Sequence, residues 1–370
     1  MKFSCSKEQL DKQLQQVARI ITVRNSLPVL SNVLLETDDK ILRISGTDLE
    51  IAMTTYLPAK VEQEGTFTVP AKVFQEFIHQ NPDDTINFSL ESFELVCRSQ
   101  KVTGRIAGID ADEFPPLPKV EKATKVRLPF LELVDALKQV VIACAIDQAR
   151  PVLTGVYMQL TGGAVTLAAT DSFRLVERKI PIIPIQESLT VLLPGRTAQE
   201  LIRLAGSYPD AADIEMEIGD QQVLLRLGTV EIYSRLITGS FPKYQSIIPT
   251  GAVAVAEVTT SELVQALRLS SVFSQAGVSN VMLEVDGDGA FSVASYGSQK
   301  GSTRHTIYAL VQDGFQPLKT AFNAKFLLDA CTACGADHLQ LRFSGPTTAL
   351  LIATEAPDYL QLVMPIRLDS

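Results

Sequence analysis

Two Thr-Asp pairs, Thr47-Asp48 and Thr170-Asp171, come closest to chemistry in this chain. Two carboxylates can divide general-acid and general-base roles when their surroundings push their pKa values apart. These two, however, stand at the same point of a repeated stretch, 123 positions apart. That symmetry suits a turn closed by side-chain hydrogen bonds better than catalysis. Other constellations are thinner. His79, His305 and His338 are scattered and read as surface or satisfied histidines. Cys331-Thr332-Ala333-Cys334 supplies two thiols where zinc takes about four ligands, and Leu327, Ala330, Cys331 and Cys334 fit the buried stripe of one helix. Asp286-Gly287-Asp288-Gly289 opens like a calcium loop, but Gly297 stands where the closing bidentate carboxylate belongs. A hairpin turn accounts for that segment. No Gly-x-x-x-x-Gly-Lys-Ser/Thr or Gly-x-Gly-x-x-Gly loop is present. The sequence points to a protein that is not an enzyme and needs no metal or cofactor.

The elements around these residues recur. Pro28-Val29-Leu30-Ser31-Asn32-Val33 returns as Pro151-Val152-Leu153-Thr154-Gly155-Val156, and Leu10 and Leu14 return as Leu133 and Leu137, each 123 residues on. Val69-Pro70-Ala71-Lys72 returns as Leu193-Pro194-Gly195-Arg196 after 124, and Phe114-Pro115 as Phe241-Pro242 after 127. A third copy is fainter: Glu262 to Leu267 answers Glu132 to Leu137, Ser279 to Glu284 answers Ser31 to Glu36, and Phe322-Asn323-Ala324-Lys325 answers Val69 to Lys72. A shared order at slowly growing offsets means one unit made three times. The expected domains are 1–120, 126–250 and 252–370.

Each unit reads as a helix, a strand pair, a second helix and further short strands. Leu10, Leu14, Val17 and Ile21 share one helical face, as do Leu133, Leu137, Val140 and Cys144. The third copy keeps Leu263 and Leu267 but continues with Ser270 and Ser274, a weaker end. Asn32 to Thr37 and Lys40 to Ser45, and Val281 to Val285 and Ala290 to Ala294, read as hairpins. The expected class is α+β, with two helices per domain on antiparallel sheets. Phe114-Pro115-Pro116-Leu117-Pro118 and Ile248-Pro249-Thr250-Gly251 read as stiff connectors, and a fixed angle repeated three times gives an arc that a second copy can close. With 46% hydrophobic and 20% charged residues the composition is that of an ordinary globular protein. No apolar run is long enough to span a bilayer, and Met1 to Glu8 lacks the apolar core of a secretory signal. Five scattered cysteines suit a reducing compartment, so a cytoplasmic location is expected. The net charge of −9 weighs against a simple nucleic-acid binder.

Met1-Lys2-Phe3, Leu27-Pro28-Val29-Leu30-Ser31-Asn32, Gly46-Thr47-Asp48-Leu49-Glu50, Ala169-Thr170-Asp171, Phe241-Pro242-x-Tyr244 and Val363-Met364-Pro365-Ile366-Arg367-Leu368 together resemble the bacterial DNA polymerase III β subunit, a sliding clamp. The resemblance runs along essentially the whole chain. It implies a head-to-tail homodimeric ring of six similar domains enclosing duplex DNA without sequence preference, helices inside and strands outside. It further implies a processivity factor that tethers the replicative polymerase, works near the nucleoid, and receives clamp loader and repair proteins through short linear peptides. Two readings compete with it: an enzyme using Asp48 or Asp171, and a scaffold that never touches DNA.

Charge placement agrees with a bore lined by helices. Taken as 6–21, 71–80, 128–146, 196–206, 261–272 and 323–334, the helices carry a net +1, which leaves −10 elsewhere. Lys7, Lys12, Arg19, Lys72, Lys138, Arg196, Arg203, Arg268 and Lys325 are the expected DNA-facing cations, and the resemblance adds Arg24 and Arg150 in matching loops. Lys72, Arg196 and Lys325 recur at the start of each second helix, where a cation opposes the helix dipole. The resemblance puts the dimer contact at Ile106 against Val272 and Phe273. It also implies an apolar partner-peptide groove from Leu153, Thr170, Arg174, Leu175, Pro242, Ile247, Leu362, Met364, Pro365 and Ile366, with Arg367 and Leu368 at its edge. A chain end rich in Met, Pro and Leu fits such a groove, since exposed apolar residues normally scatter. Ser172-Phe173 and the trailing Asp369-Ser370 depart from the family pattern.

Overall fold

The structure, a computed structural model, describes residues 1–21, 27–118, 120–121, 123–273, 280–297 and 301–366. Its helices there are α1 (Lys7–Ala18), α2 (Ala71–Gln80), α3 (Phe130–Val140), α4 (Gly195–Leu204), α5 (Thr260–Val272) and α6 (Ala324–Cys334), two per repeat. Their buried faces follow the apolar spacing. Leu10, Leu14 and Val17 of α1 and Leu133, Leu137 and Val140 of α3 are all buried, each contributing on the order of 1.5–3 kcal/mol. Two helices stop short of the sequence expectation. α1 ends at Ala18, so Ile20 rather than Ile21 is fully buried, and α3 gives way after Val140 to a tight turn, Val141–Ala143, that leaves Cys144 off the helical face. α5 runs on to Val272 despite its serines, because Ser270 is buried and its hydroxyl donates to the Val293 carbonyl at 3.4 Å.

The chain folds as two compact units, Met1–Phe130 with Tyr208–Leu236, and Leu131–Ser207 with Ile237–Ser370. In the first, one sheet orders its strands Lys60–Gln63, Lys2–Ser6, Thr85–Glu91, Glu94–Arg98 and Thr103–Ala107. The other runs Thr124–Pro129, Asp213–Ile218, Gln222–Leu227, Val230–Arg235, Ile51–Pro58, Ile41–Thr47, Asn32–Asp38 and Gly65–Pro70. The middle repeat joins the first in this sheet, with Val230 opposite Thr55 and Ser234 opposite Ile51. An ion and hydroxyl ladder crosses the seam. Glu231 accepts from Tyr56 Oη and Tyr233 Oη at 3.0 Å each and from Arg226 Nε at 2.9 Å. Arg226 also meets Glu217, which Lys125 reaches at 2.6 Å. These two cations, Lys125 foremost, hold the Glu217 carboxyl below its usual range.

In the second unit the larger sheet runs Leu189–Pro194, Gly155–Thr161, Ala164–Thr170, Arg174–Pro181, Tyr359–Val363, Leu350–Ala353, His338–Phe343, Ala254–Thr259 and Ala309–Val311. Its seam pairs Arg174 with Val363 and Arg178 with Tyr359, so the last strand of the third repeat is stitched to the second. The smaller sheet is Gly301–Ile307, Phe291–Gly297, Asn280–Val285 and Leu318–Asn323. All the pairings in both units are antiparallel, and the architecture is α+β as the sequence implies.

A further repeat emerges in three dimensions. Ile109, Ile237 and Ile366 each bond by backbone to the strand that leads into the second helix of their repeat. Ile109 exchanges bonds with Thr68 at 3.2 Å, Ile237 donates to Leu192 at 3.0 Å, and Ile366 donates to Ala321 at 2.8 Å. In the first repeat this approach leaves no room beside Gly108, where an added Cβ would sit 2.0 Å from the Thr68 carbonyl oxygen and 2.4 Å from the Phe67 ring. Gly108→Ala is expected to cost about 2–3 kcal/mol, since neither backbone nor a buried ring yields cheaply. Urea denaturation measures it, and a midpoint unchanged from the wild type would refute the close approach.

Candidate functional site

The two Thr-Asp segments form the same turn. Asp48 Oδ1 accepts from the Glu50 and Ile51 amides at 3.1 and 3.0 Å, and Asp171 Oδ1 from the Phe173 and Arg174 amides at 2.9 Å each. Thr47 and Thr170 each donate a hydroxyl to the carbonyl four residues on and accept from the amide two residues on. Leu49 and Ser172 take φ of 78° and 77°, the left-handed region that non-glycine residues enter at a cost of about 1 kcal/mol or more. The aspartates hold these strained turns through their side chains. In the second repeat the turn presents Ser172, Phe173 and Arg174 at the end of the strand that pairs with Tyr359–Val363.

Beside this turn lies a cavity of about 280 Å³. Leu153, Thr170, Arg174, Leu175, Pro242, Ile247, Leu362 and Met364 line it, eight of the twelve expected groove residues. Arg150, Val152, Ser172, Lys243 and Tyr244 complete the lining. A neighbouring cavity of about 390 Å³ shares Met364 and is lined by Phe173, Asn323, Phe326, Pro365 and Ile366. Pro365 and Ile366 thus belong to the second hollow rather than the first, because the backbone bond from Ile366 to Ala321 draws the chain toward the smaller sheet. Arg367 and Leu368 lie outside the described residues. The cavity floor is a buried cluster of Ala168, Leu175, Tyr244, Ala349, Leu351 and Leu362. Phe241 stacks on Tyr157 at 5.0 Å, Tyr244 meets Tyr157 edge-on at 6.5 Å, and the Tyr244 hydroxyl donates to buried Glu177. Burial, then Glu177, pushes the Tyr244 phenol above its ordinary range. Ile247 and Met364 remain 55% and 40% exposed, an apolar lip on a packed floor.

Arg174 is the node between the hollows. Its Nε is 2.9 Å from Asp171 Oδ2, its Nη1 is 2.7 Å from Asp329 Oδ2, and its guanidinium lies 4.5 Å from the Phe326 ring centroid. Phe173, 62% exposed, stacks on the same ring at 6.5 Å. Nothing local marks Asp329 or Phe326, because their partner Arg174 lies about 150 residues away. Lys243 and Arg150 escaped assignment to the groove because turn residues carry no apolar periodicity; Tyr244 was legible as the end of its four-residue motif.

Arg150, expected among the DNA-facing cations, lines the groove, with Nη1 3.4 Å from Ser172 Oγ. Lys12, Arg19, Lys72, Lys138, Arg203, Arg268 and Lys325 are exposed, and Lys7 and Arg196 are half-buried. Lys138 is tied to Asp135 at 2.8 Å and Arg203 to Glu200, so part of their charge is cancelled locally. Arg24 lies outside the described residues. With helix ends as observed, Arg19 falls at the cap of α1, and the helices carry eight cations and eight anions. The expected +1 becomes zero, and the formal −9 lies off the helices. Ile106, on the edge strand Thr103–Ala107, is 6% exposed, Val272 is 65% exposed at the end of α5 and Phe273 is half-buried.

The remaining chemistry is structural. Burial pushes the Cys144 and Cys331 thiols up to about 12, far from the thiolate that a nucleophile or metal ligand needs. Cys334 donates to the Cys331 carbonyl at 3.0 Å. The Asp286–Gly289 segment is a hairpin turn closed by Gly289 N to Asp286 O at 3.0 Å. His79 pairs with Asp11 at 2.9 Å, and the Nδ1 of half-buried His305 has no hydrogen-bond partner among the described residues. Among the described residues no group of His, Cys, Asp and Glu could hold a metal ion, and no helix is long and apolar enough to cross a membrane.

Against known proteins, residues 1–118, 127–243 and 245–367 match in turn the N-terminal, central and C-terminal domain models of the DNA polymerase III beta subunit. The beta sliding clamp of Bacillus subtilis is 28% identical over 379 residues, covering 99% of this chain and 100% of that protein. That of Staphylococcus aureus is 26% identical over 377 residues, covering 99% of both. The crystal structure of the DNA polymerase sliding clamp from Bacillus subtilis superposes with a TM-score of 0.95 at 27% identity, covering all of both chains. The DNA polymerase III beta subunit from Thermotoga maritima gives 0.92 at 25%, again over the full length of both. Three domain models in order, and a fold retained from end to end where about three residues in four have changed, mean that the chain belongs to the DNA polymerase III beta-subunit family of DNA sliding clamps.

Proposed function

We infer that two copies of this chain close head to tail into a ring around duplex DNA, and that replication and repair proteins dock on it through short linear peptides. The groove beside the Asp171 turn carries the docking reading. It is an apolar hollow on a packed aromatic floor with an exposed Met364 and Ile247 lip, the form that takes apolar anchors from an extended peptide. Methionine adapts its shape, which suits one pocket serving several partners. A ring explains how a chain with net charge −9 holds DNA: enclosure asks only that the bore not repel phosphates, and the helices are neutral as a set. The ring performs no chemistry of its own; it keeps a polymerase on its template. Domain limits of 1–120, 126–250 and 252–370 and work in the cytoplasm, on the nucleoid during replication, complete the reading.

Ring closure is assigned to the exposed end of α5 and to two open sheet edges, Thr103–Ala107 and Gly301–Ile307. Unpaired edges are ready templates for a strand from another chain. Light scattering should give twice the 40.3 kDa chain mass. Val272→Asp puts a charge at an exposed position that the monomer fold does not use, and is expected to yield folded monomers; Phe273→Asp should do the same. Persistence of the dimer mass in both variants would overturn this assignment of the interface.

A further inference from the structure

We propose that His305 of one copy meets Lys101 of the partner subunit where the ring closes, and that acid opens the ring at this pair. The inference rests on the head-to-tail ring and goes on to its regulation. Within the chain, consecutive repeats join twice in one way. The strand after the hairpin of one repeat pairs with the last strand of the next, Ile51 opposite Ser234 and Arg174 opposite Val363. Ser234 and Val363 stand three residues before the bridging isoleucines Ile237 and Ile366. In the first repeat the bridge is Ile109, so the matching residue is Ile106. Hairpin register supplies the other side: Ala52 pairs with Thr47, Leu175 with Thr170 and Ser302 with Tyr296. Gly301 therefore matches Ile51 and Arg174. The strands Gly301–Ile307 and Thr103–Ala107 are both open sheet edges. Joined in the same register across two copies, they set Gly301 against Ile106 of the partner subunit and His305 against Val102 of the partner subunit.

Four residues along, each seam brings one side chain to the turn that leads into the neighbouring strand. In the first, the Gln13 amide bridges Thr55 and Thr229. In the second, Arg178 Nη1 donates to Asp358 Oδ1 at 2.8 Å. Both pairs are complementary. Their counterparts in the third are His305 and Lys101. A neutral imidazole nitrogen can accept from a lysine ammonium, and His305 Nδ1 has no partner among the described residues. Histidine gains its charge between about pH 8 and 5. The acceptor is then lost, and two cations face each other. Other charged groups around the pair are few. Val293 lies opposite His305 in its own sheet. Helix α5, which packs on this strand, carries Glu262 and Arg268, both exposed. Neighbouring Arg304 is held by Glu284 at 2.7 Å and Asp286 at 2.6 Å. Asp83 of the partner subunit accepts from the Lys101 amide at 2.9 Å.

At each of the ring's two interfaces the effect is expected to be about two- to fivefold. The dimer Kd should therefore rise roughly four- to 25-fold from about pH 8 to about pH 5.5. The test is analytical ultracentrifugation of the full chain over a dilution series at both pH values and constant ionic strength. His305→Gln keeps an acceptor without a charge and should flatten the dependence. Lys101→Glu should reverse it, acid then tightening the ring, because a carboxylate faces the charged imidazole. A Kd equal at both pH values, a dependence that survives His305→Gln, or one that keeps its sign in Lys101→Glu overturns the switch and leaves the ring standing. Monomers at every concentration and pH overturn the ring reading and this inference with it.

Discussion

On closed circular DNA the protein is expected to survive salt that strips it from linear DNA of the same length. Neutralising even about six phosphates makes affinity fall roughly 10³-fold between 50 and 200 mM salt. On linear DNA that weakening, together with sliding off the ends, should leave almost nothing bound. A ring threaded on a circle has no end to leave by, so its release waits on opening of the interface. The neutral helix set, eight cations against eight anions, makes the contrast larger, because little attraction remains once enclosure is removed. The measurement is gel filtration of loaded complexes at both salt concentrations, followed by linearisation of the circle with a single-cutting nuclease. Release on cutting is the expected result; equal salt sensitivity before and after cutting would rule out enclosure.

Arg174→Ala is expected to be the most damaging single change in the groove, at about 2–3 kcal/mol of stability. Its side chain is 10% exposed, and it neutralises Asp171 at 15% and Asp329 at 32% exposure. Removing one partner of a buried pair costs up to about 3–5 kcal/mol because a charge is left behind; the partial exposure of Asp329 lowers that figure. The loss extends to the stack on Phe326, and with it the wall between the two hollows, so peptide affinity should fall as well. Arg174→Lys keeps the charge but not the two-pronged geometry and should recover only part of either loss. Urea denaturation with parallel peptide titration separates the effects. A variant within about 0.5 kcal/mol of wild type would mean that the Asp171–Arg174–Asp329 node is only a surface pair.

Much of this was legible in the sequence because it was written three times. The helix faces recur in all three units and the Thr-Asp turns in two, at the same spacing, and that repetition separates structural aspartates from catalytic ones. Of the eight groove residues, Leu153, Thr170, Pro242 and Met364 lie in recognisable motifs, while Arg174, Leu175, Ile247 and Leu362 came only with the family resemblance. What escaped depends on distance in the chain. The Asp329 and Phe326 partners of Arg174 come from another repeat, and nothing local marks them. The bridges at Ile109, Ile237 and Ile366 are made by backbone atoms, so the recurring isoleucine does not by itself mark the bond. Helix ends misled for a related reason: apolar periodicity carried past Ala18 and Val140, but the buried Ile20 and the turn at Val141–Ala143 follow from tertiary packing.

The seam in the larger sheet of the first unit has a consequence for how the protein is made. Strand Ile51–Pro58 finds its outer neighbour in Val230–Arg235, so the sheet grown from the first repeat stays incomplete until the ribosome has passed residue 235. At ordinary elongation rates the newborn chain carries that bare β edge for roughly ten seconds or more. During that interval its backbone donors and acceptors are open to any extended strand nearby. Synthesis therefore passes through a stage in which the strand-pairing hazard is greatest.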